Sequence, residues 1–279
     1  MLDQAIKRCV AAVLAPAVFA FSAAASASGD EDGWHYEVAV YGWLKSVDGT
    51  SGDTKVKLDF WDDIVDLLEG VFMASFEAEY GVVSLFAGYE YTNIAGDGKL
   101  KREFDYTVPP NGPTIPLEAN TKVDITDIQH IWEAGAGYYF WENTRSRWKI
   151  LGGVKSFDMS VKAKLKKITV TPPGGGQIEL ENLKVKSEDD WWTPFLGLHY
   201  TYMISDHWRL RLRGDYGYYD SDNTNWMAEA LADWRFNDWG ALEIGYRYQN
   251  IDYDNDSNSN PYSYDFDEYG PRVGLIIHF

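Results

Sequence analysis

The sequence predicts an all-β fold: a single antiparallel up-and-down transmembrane β-barrel of about ten strands, with long extracellular hairpin loops and a short helix near its mouth. Three observations predict it. Apolar and polar residues alternate with a period of two in segments close to the ~9 to 11 residues that a tilted strand needs to cross a bilayer. Connections between these segments are alternately short and long, and the outward aromatics gather at two heights.

Taken in order, residues 34–44 set Trp34, Tyr36, Val38, Val40 and Leu44 against His35, Glu37, Tyr41 and Lys45. Residues 72–80 set Phe72, Ala74, Phe76 and Ala78 against Met73, Ser75, Glu77 and Glu79, and Gly81 makes a tight turn. Val83, Leu85, Ala87, Tyr89 and Tyr91 then face out against Ser84, Gly88, Glu90 and Thr92. Residues 128–140 return with Trp132, Ala134, Ala136 and Tyr138 opposite Glu133, Gly135 and Gly137. A polar turn at 141–147 leads up residues 148–157, which carry Lys149 and Lys155, and residues 192–202 come down. The cleanest segment, 208–218, alternates Trp208, Leu210, Leu212, Gly214, Tyr216 and Tyr218 with Arg209, Arg211, Arg213, Asp215 and Gly217. Residues 226–236 descend with Trp226, Ala228, Ala230, Ala232 and Trp234 outward, and Leu242, Ile244, Tyr246 and Tyr248 rise. The closing strand turns Tyr269, Pro271, Val273, Leu275, Ile277 and Phe279 one way and Glu268, Gly270, Arg272, Gly274 and His278 the other, with Ile276 the one apolar exception.

Outward aromatics form a lower ring (Tyr36, Tyr80, Tyr138, Trp148, Tyr202, Trp208, Trp234, Phe279) and an upper one (Tyr91, Trp192, Tyr218, Trp226, Tyr248, Tyr269). A soluble sandwich, the competing fold, has no reason to sort aromatics by height. The load of 12 Trp, 19 Tyr and 13 Phe supplies two such girdles.

Lys7 and Arg8, the apolar run 10–21 and Ala25-Ser26-Ala27 read as a signal peptide over residues 1–27, which leaves 28–279 as the barrel domain. The single Cys9 then departs with the leader, so no disulfide is expected. No later stretch is apolar enough for a spanning helix, and an even strand count puts both termini on the periplasmic side. The net charge of −18 argues against nucleic acid as a partner and against passive adhesion to an anionic bilayer surface.

The expected loops carry three features. Residues 45–70 include an acidic helix, 61–68, with Asp62, Asp63 and Asp66 beside an apolar stripe, placed to cap or enter the mouth. Pro/Gly-rich tips at 107–112 and 169–174 read as hairpins whose sheet continues beyond the membrane. Lys162, Lys164, Lys166, Lys167, Lys184 and Lys186 gather near the second; ordinary solvated charge is the leading reading, and contact with lipopolysaccharide phosphates the competing one.

Residues 191–279 are similar to a family of Gram-negative outer-membrane β-barrel proteins with few assigned functions. The segments that carry the resemblance are PFLGLHYTYMISDHWRLRLRGDYG at 194–217, WMAEALADWRFND at 226–238, GYRYQNIDYD at 245–254 and GPRVGLIIHF at 270–279. The amino half matches more loosely, through WLKSVDGT, the acidic helix and FMASFEAEYG. The resemblance implies a fold and an outer-membrane location rather than a reaction.

The inward positions collect Glu37, Glu77, Glu79, Glu90, Glu133, Asp215, Glu229, Asp233, Glu243 and Glu268 against Lys45, Lys149, Lys155, Arg209, Arg211, Arg213, Arg235, Arg247 and Arg272. In so narrow a barrel these charges are expected to pair across the lumen as a braced plug. The competing reading is a narrow porin-like path for small solutes, with the inward Gly135, Gly137, Gly153, Gly197, Gly217, Gly245 and Gly274 leaving room for water. Surface ligand binding or adhesion by the long loops is the alternative function. An enzyme is the least favoured class, because only His130 lies near the outer rim and the Asp206-His207 pair falls in a periplasmic turn. Asp252, Asp254, Asp256 and Asn258 have calcium-loop spacing without its central Gly and final Glu, so neither metal nor cofactor is expected. Expected partners are the lipid bilayer and the barrel assembly machinery, with Phe279 as the assembly signal of a monomer.

Overall fold

The structure, a computed structural model, describes residues 33–51, 54–61, 68–107, 114–170, 178–255 and 262–279. The expected signal peptide, the expected acidic helix with Asp62, Asp63 and Asp66, and the expected hairpin tips, at 108–113 and 171–177, lie outside the described residues.

Twelve strands are described: β1 (His35–Trp43), β2 (Ser46–Ser51), β3 (Thr54–Leu58), β4 (Leu68–Tyr80), β5 (Val83–Thr107), β6 (Thr114–Glu142), β7 (Ser146–Val170), β8 (Ile178–Met203), β9 (Trp208–Asp220), β10 (Asn223–Arg235), β11 (Gly240–Asn255) and β12 (Tyr262–His278). β1 and β4 through β12 pair in chain order, and β1 closes on β12 with Glu37 opposite His278 and Trp43 opposite Arg272. The result is a closed antiparallel barrel of ten strands. The first and last barrel strands meet at the seam, where the Tyr36 N–H donates to the Phe279 carbonyl at 2.8 Å and the Phe279 N–H returns the bond at 3.0 Å.

The pleat sorts the side chains as the alternation requires. Phe76, Tyr138, Trp148, Trp208 and Trp234 near the end that holds the termini, and Trp132, Trp192, Tyr218 and Trp226 toward the other, are exposed on the outside of the barrel. So much contiguous apolar surface calls for apolar surroundings, and a closed barrel has no unpaired backbone to present to them. Ile276, the exception on the inner face, is fully buried against Ala39, Tyr41, Trp43, Met73 and Ala241, where the small alanines leave room for it.

Two features differ from the sequence reading. The stretch after β1 holds strands rather than loop alone: β2 continues β1 along β12 without a change of register, from Trp43 opposite Arg272 to Ser46 opposite Tyr269, and β3 folds back on β2. The segment Ser46-Val47-Asp48-Gly49-Thr50-Ser51 has neither an apolar face nor strong β-propensity, which is why its extended state is not legible locally. The second feature is height. β5 and β7 have 25 residues each where β4, β9 and β10 have 13, so a four-stranded sheet rises on the order of 40 Å farther along the strand direction. It stays paired up to Thr107 opposite Thr114 and Val170 opposite Ile178.

Candidate functional site

The candidate site is the lumen, and it has three levels. Register builds the middle one. Along β9, β10 and β11, Arg209 stands opposite Asp233 and Asp233 opposite Glu243, while two rungs away Arg213 stands opposite Glu229 and Glu229 opposite Arg247. Between these rungs Arg211 faces the buried Leu231, so its guanidinium finds no charge directly across and reaches along the strands instead.

The ion pairs are close. Arg209 donates to Asp233 at 2.7 Å and to Glu37 at 2.9 Å, and Arg211 to Glu243 at 2.7 Å and Asp233 at 2.9 Å, with Glu37 3.5 Å away. Arg213 makes a bidentate pair with Glu133 at 2.7 and 2.9 Å and a further bond to Asp215 at 3.0 Å. Glu229 binds Arg247 and Arg272, each at 2.7 Å, and Glu243 binds Arg272 at 2.8 Å. Lys149 pairs with Glu77, Lys155 with Asp215 and Arg247 with Glu90, while Lys45 reaches Gln129 at 2.5 Å and Glu268 at 2.9 Å. The site is largely withdrawn from solvent, and the side chains of Glu243 and Asp233 are 0% and 2% exposed. Charges so buried persist when each is paired and hydrogen-bonded, and here Glu37, Asp215, Glu229, Asp233 and Glu243 each serve two cations.

Glu229 is not the partner of Arg213 that the alternation suggests. Although the two are opposite in register, the Arg213 guanidinium lies 5.6 Å from the Phe86 ring centre and 5.7 Å from that of Phe195, on the way across the lumen to Glu133. Aromatic faces attract a guanidinium and leave its edge free for the carboxylate. Aromatic partners of these charges are not legible in the sequence as such. Tyr41 donates to Glu90 at 2.8 Å and carries Arg272 3.5 Å above its ring; Tyr139 donates to Glu79 and holds Arg147 3.6 Å above its own. Arg147, in the position two residues before Lys149, shares its inward parity, but the polar turn expected over 141–147 conceals it.

Two of the inward glycines, Gly137 and Gly274, lie against charged side chains. A Cβ at Gly137 would come 2.6 Å from Lys149 and Ser84, and one at Gly274 would come 2.7 Å from the Glu243 carboxylate and from Tyr41. The residual middle cavity, bordered by Glu133, His199, Arg211 and Arg247, is about 70 Å³, enough for a few waters.

Above the ionic level lies an apolar one. Phe60, Ile94, Ile131, Phe157, Met159, Trp191, Ile251 and Phe266 form one buried cluster across the barrel. Trp191 stacks on Tyr253 at 4.0 Å with 3° between planes, and on Phe157 at 5.2 Å. Phe60 enters it from the excursion that precedes the acidic stretch, so that segment supplies at least one side chain to the mouth. Below the ionic level, at the end that holds the termini, a basin of about 600 Å³ opens; His35, Thr201, Arg235, Asp238, His278 and Phe279 are among its walls. Arg235, inward as expected, has no ion pair among the described residues. His130 lies on the outside of the barrel and is bonded to the Tyr89 hydroxyl at 2.9 Å. Among the described residues no cluster of three or more His, Cys, Asp or Glu is set to hold a metal.

Comparison with known proteins agrees with this architecture. A family profile described as "Protein of unknown function, DUF481" matches residues 122–266. Among solved structures, the outer membrane protease OmpT from Escherichia coli superposes with a TM-score of 0.59 at 12% identity, over 92% of this chain and 100% of that one. At that identity the likeness speaks for the barrel fold alone. The translocator domain of the autotransporter NalP from Neisseria meningitidis matches at a TM-score of 0.36 and 11% identity, over 96% and 99% of the two chains. No curated protein matches the sequence.

Proposed function

This chain belongs to the DUF481 family of proteins of unknown function, and we propose that it is a closed outer-membrane barrel with a structural role that carries a tall sheet outside the cell, rather than a small-solute pore. On this reading the basin and both termini face the periplasm, the apolar level faces outward, and Phe279 presents the closing strand to the assembly machinery. One observation supports the reading: beyond the basin lie the paired charges of the lumen, and beyond them a buried apolar cluster. Passage would require unpairing several buried ions, which costs several kcal/mol for each broken pair.

The tall sheet favours surface ligand binding as a second role, because only rigid, paired strands hold a recognition surface so far from the barrel. Planar-bilayer recording of the purified full chain tests the first part. Current at background is expected; steps of stable unitary conductance would refute the closed barrel.

A further inference from the structure

We propose that Asp127, Gln129, Lys45 and Glu268 form a proton-operated latch, which holds β2, β3 and Phe60 in place over the lumen while Asp127 is protonated and loosens them when it ionises. The latch lies inside the lumen, so it does not depend on which end of the barrel faces out of the cell. Its parts are joined end to end. The Lys45 ammonium donates to Glu268 at 2.9 Å and to the Gln129 carbonyl at 2.5 Å, and the Gln129 amide donates in turn to Asp127 at 3.0 Å and to the Tyr264 hydroxyl at 3.4 Å. Tyr264 closes the ring by donating to Glu268 at 3.4 Å. Three parts of the chain meet in this way: the junction of β1 and β2 at Lys45, β6 at Asp127 and Gln129, and β12 at Tyr264 and Glu268. Lys45, Gln129, Tyr264 and Glu268 are all buried.

The network is one counter-ion short. A single ammonium stands beside two carboxylates, and it bonds directly only to Glu268. Arg247 and Arg272 below are taken up by Glu90, Glu229 and Glu243. Asp127 stands between Ile94 on β5 and Val161 on β7, so neither neighbouring strand brings a charge opposite it, and among the described residues Lys45 and Glu268 are the charged groups that bear on it. One oxygen of each carboxylate, Asp127 Oδ1 and Glu268 Oε2, is buried with no hydrogen-bond partner among the described residues. A carboxylate so placed is costly while ionised and is relieved by a proton. Asp127 lies three residues beyond His130, which stands opposite Tyr91 of the upper aromatic ring, and so beyond the span between the rings. Burial pushes its carboxyl up to about 6 against the pull of Lys45, and Glu268 adds to the push.

Ser46 couples this network to the apolar level. It follows Lys45 in the chain, its hydroxyl accepts the Phe60 N–H at 3.0 Å, and Phe60 packs in the buried cluster. When Asp127 ionises, Lys45 is drawn between two carboxylates and water is drawn toward the new charge. Two buried donors without a partner among the described residues, Trp43 Nε1 and Gln249 Nε2, can bind that water; Gln249 stands opposite Glu268, and the Trp43 ring lies 5.3 Å from the Lys45 ammonium. Both changes release the hold on Lys45, and with it on Ser46 and Phe60. The ion pairs of the middle level take no part, so the barrel stays closed in either state. The latched form binds the proton more tightly than the loosened one, in which the carboxyl returns toward its ordinary value of ~4. Latching is therefore favoured as pH falls through about 6, and the opening constant rises about tenfold between pH 5 and pH 7.5.

Hydrogen exchange of the purified full-length barrel in detergent tests the latch, read at pH 5 and pH 7.5 and corrected for the intrinsic pH dependence of amide exchange. Amides of β2 and β3 are expected to open about tenfold more at pH 7.5, while those of β9 and β10 keep the same protection. Asp127→Asn should remove the difference and hold the protection of the acid state at both values. Glu268→Gln leaves Lys45 to Asp127 alone, so the transition should move to lower pH; this variant keeps Asp127 and decides the matter if Asp127→Asn fails to fold. Equal protection of the wild type at the two pH values, the full difference retained in Asp127→Asn, an unmoved transition in Glu268→Gln, or an equal change throughout the barrel would each overturn the proposal. Bilayer current is not read in this assay, so failure here and failure of the closed-barrel reading are distinguishable.

Discussion

Replacing Arg211 by Ala lowers the unfolding temperature of the barrel markedly while its conductance stays near background. Arg211 is the one cation shared by Glu37, Asp233 and Glu243, and the side chains of the last two are 2% and 0% exposed. Removal strands buried carboxylates whose remaining partners, Arg209 and Arg272, are already engaged with Glu37 and Glu229. Breaking a buried ion pair from one side costs about 3 to 5 kcal/mol. The apolar level around Trp191 and Phe157 is untouched by the change, so no path opens. A water-filled channel would respond in the opposite way, with little change in stability and a shift toward cation selectivity. Melting by loss of heat-modifiable mobility, combined with reversal-potential recording on the same variant, separates the two.

The second large effect concerns depth on the outer wall. Leu212 and Tyr218 lie on one face of β9, both exposed, the first between the aromatic rings and the second within the upper one. An arginine facing lipid costs ~2 to 4 kcal/mol at mid-membrane and ~0 to 1 near an interface. Leu212→Arg is therefore expected to reduce the yield of folded barrel strongly, and Tyr218→Arg to leave it nearly intact. Equal yields in vesicle refolding would contradict the placement of the two rings.

What the sequence reveals follows from how many constraints act on each residue. Along residues 208–218 lipid demands apolar side chains outside and the lumen demands charge inside, so every position is constrained and the alternation Trp208-Arg209-Leu210-Arg211-Leu212-Arg213 can be read directly. In β2 and β3 neither face is held in lipid, and the pattern fades. The pairing of Arg213 with Glu133 joins residues 80 apart across the lumen, a distance set by barrel closure and by Phe86 and Phe195, none of which local periodicity encodes. The apolar level is concealed for another reason. Trp191 and Trp192 are adjacent and alike in chemistry, yet one is buried in the lumen and the other is exposed outside, so parity must be carried from Thr193 and Pro194 to tell them apart.

On the closed-barrel proposal the lumen opens at one end only. Cys9 is the only cysteine in the sequence, so Thr201→Cys combined with Cys9→Ser gives the barrel a single thiol in the wall of the basin. In vesicles of known orientation, a membrane-impermeant maleimide should label this thiol rapidly from the side of the termini and not from the side of the tall sheet. Labelling at similar rates from both sides would show a through-path past the ion pairs and the apolar layer, and would contradict the closed barrel.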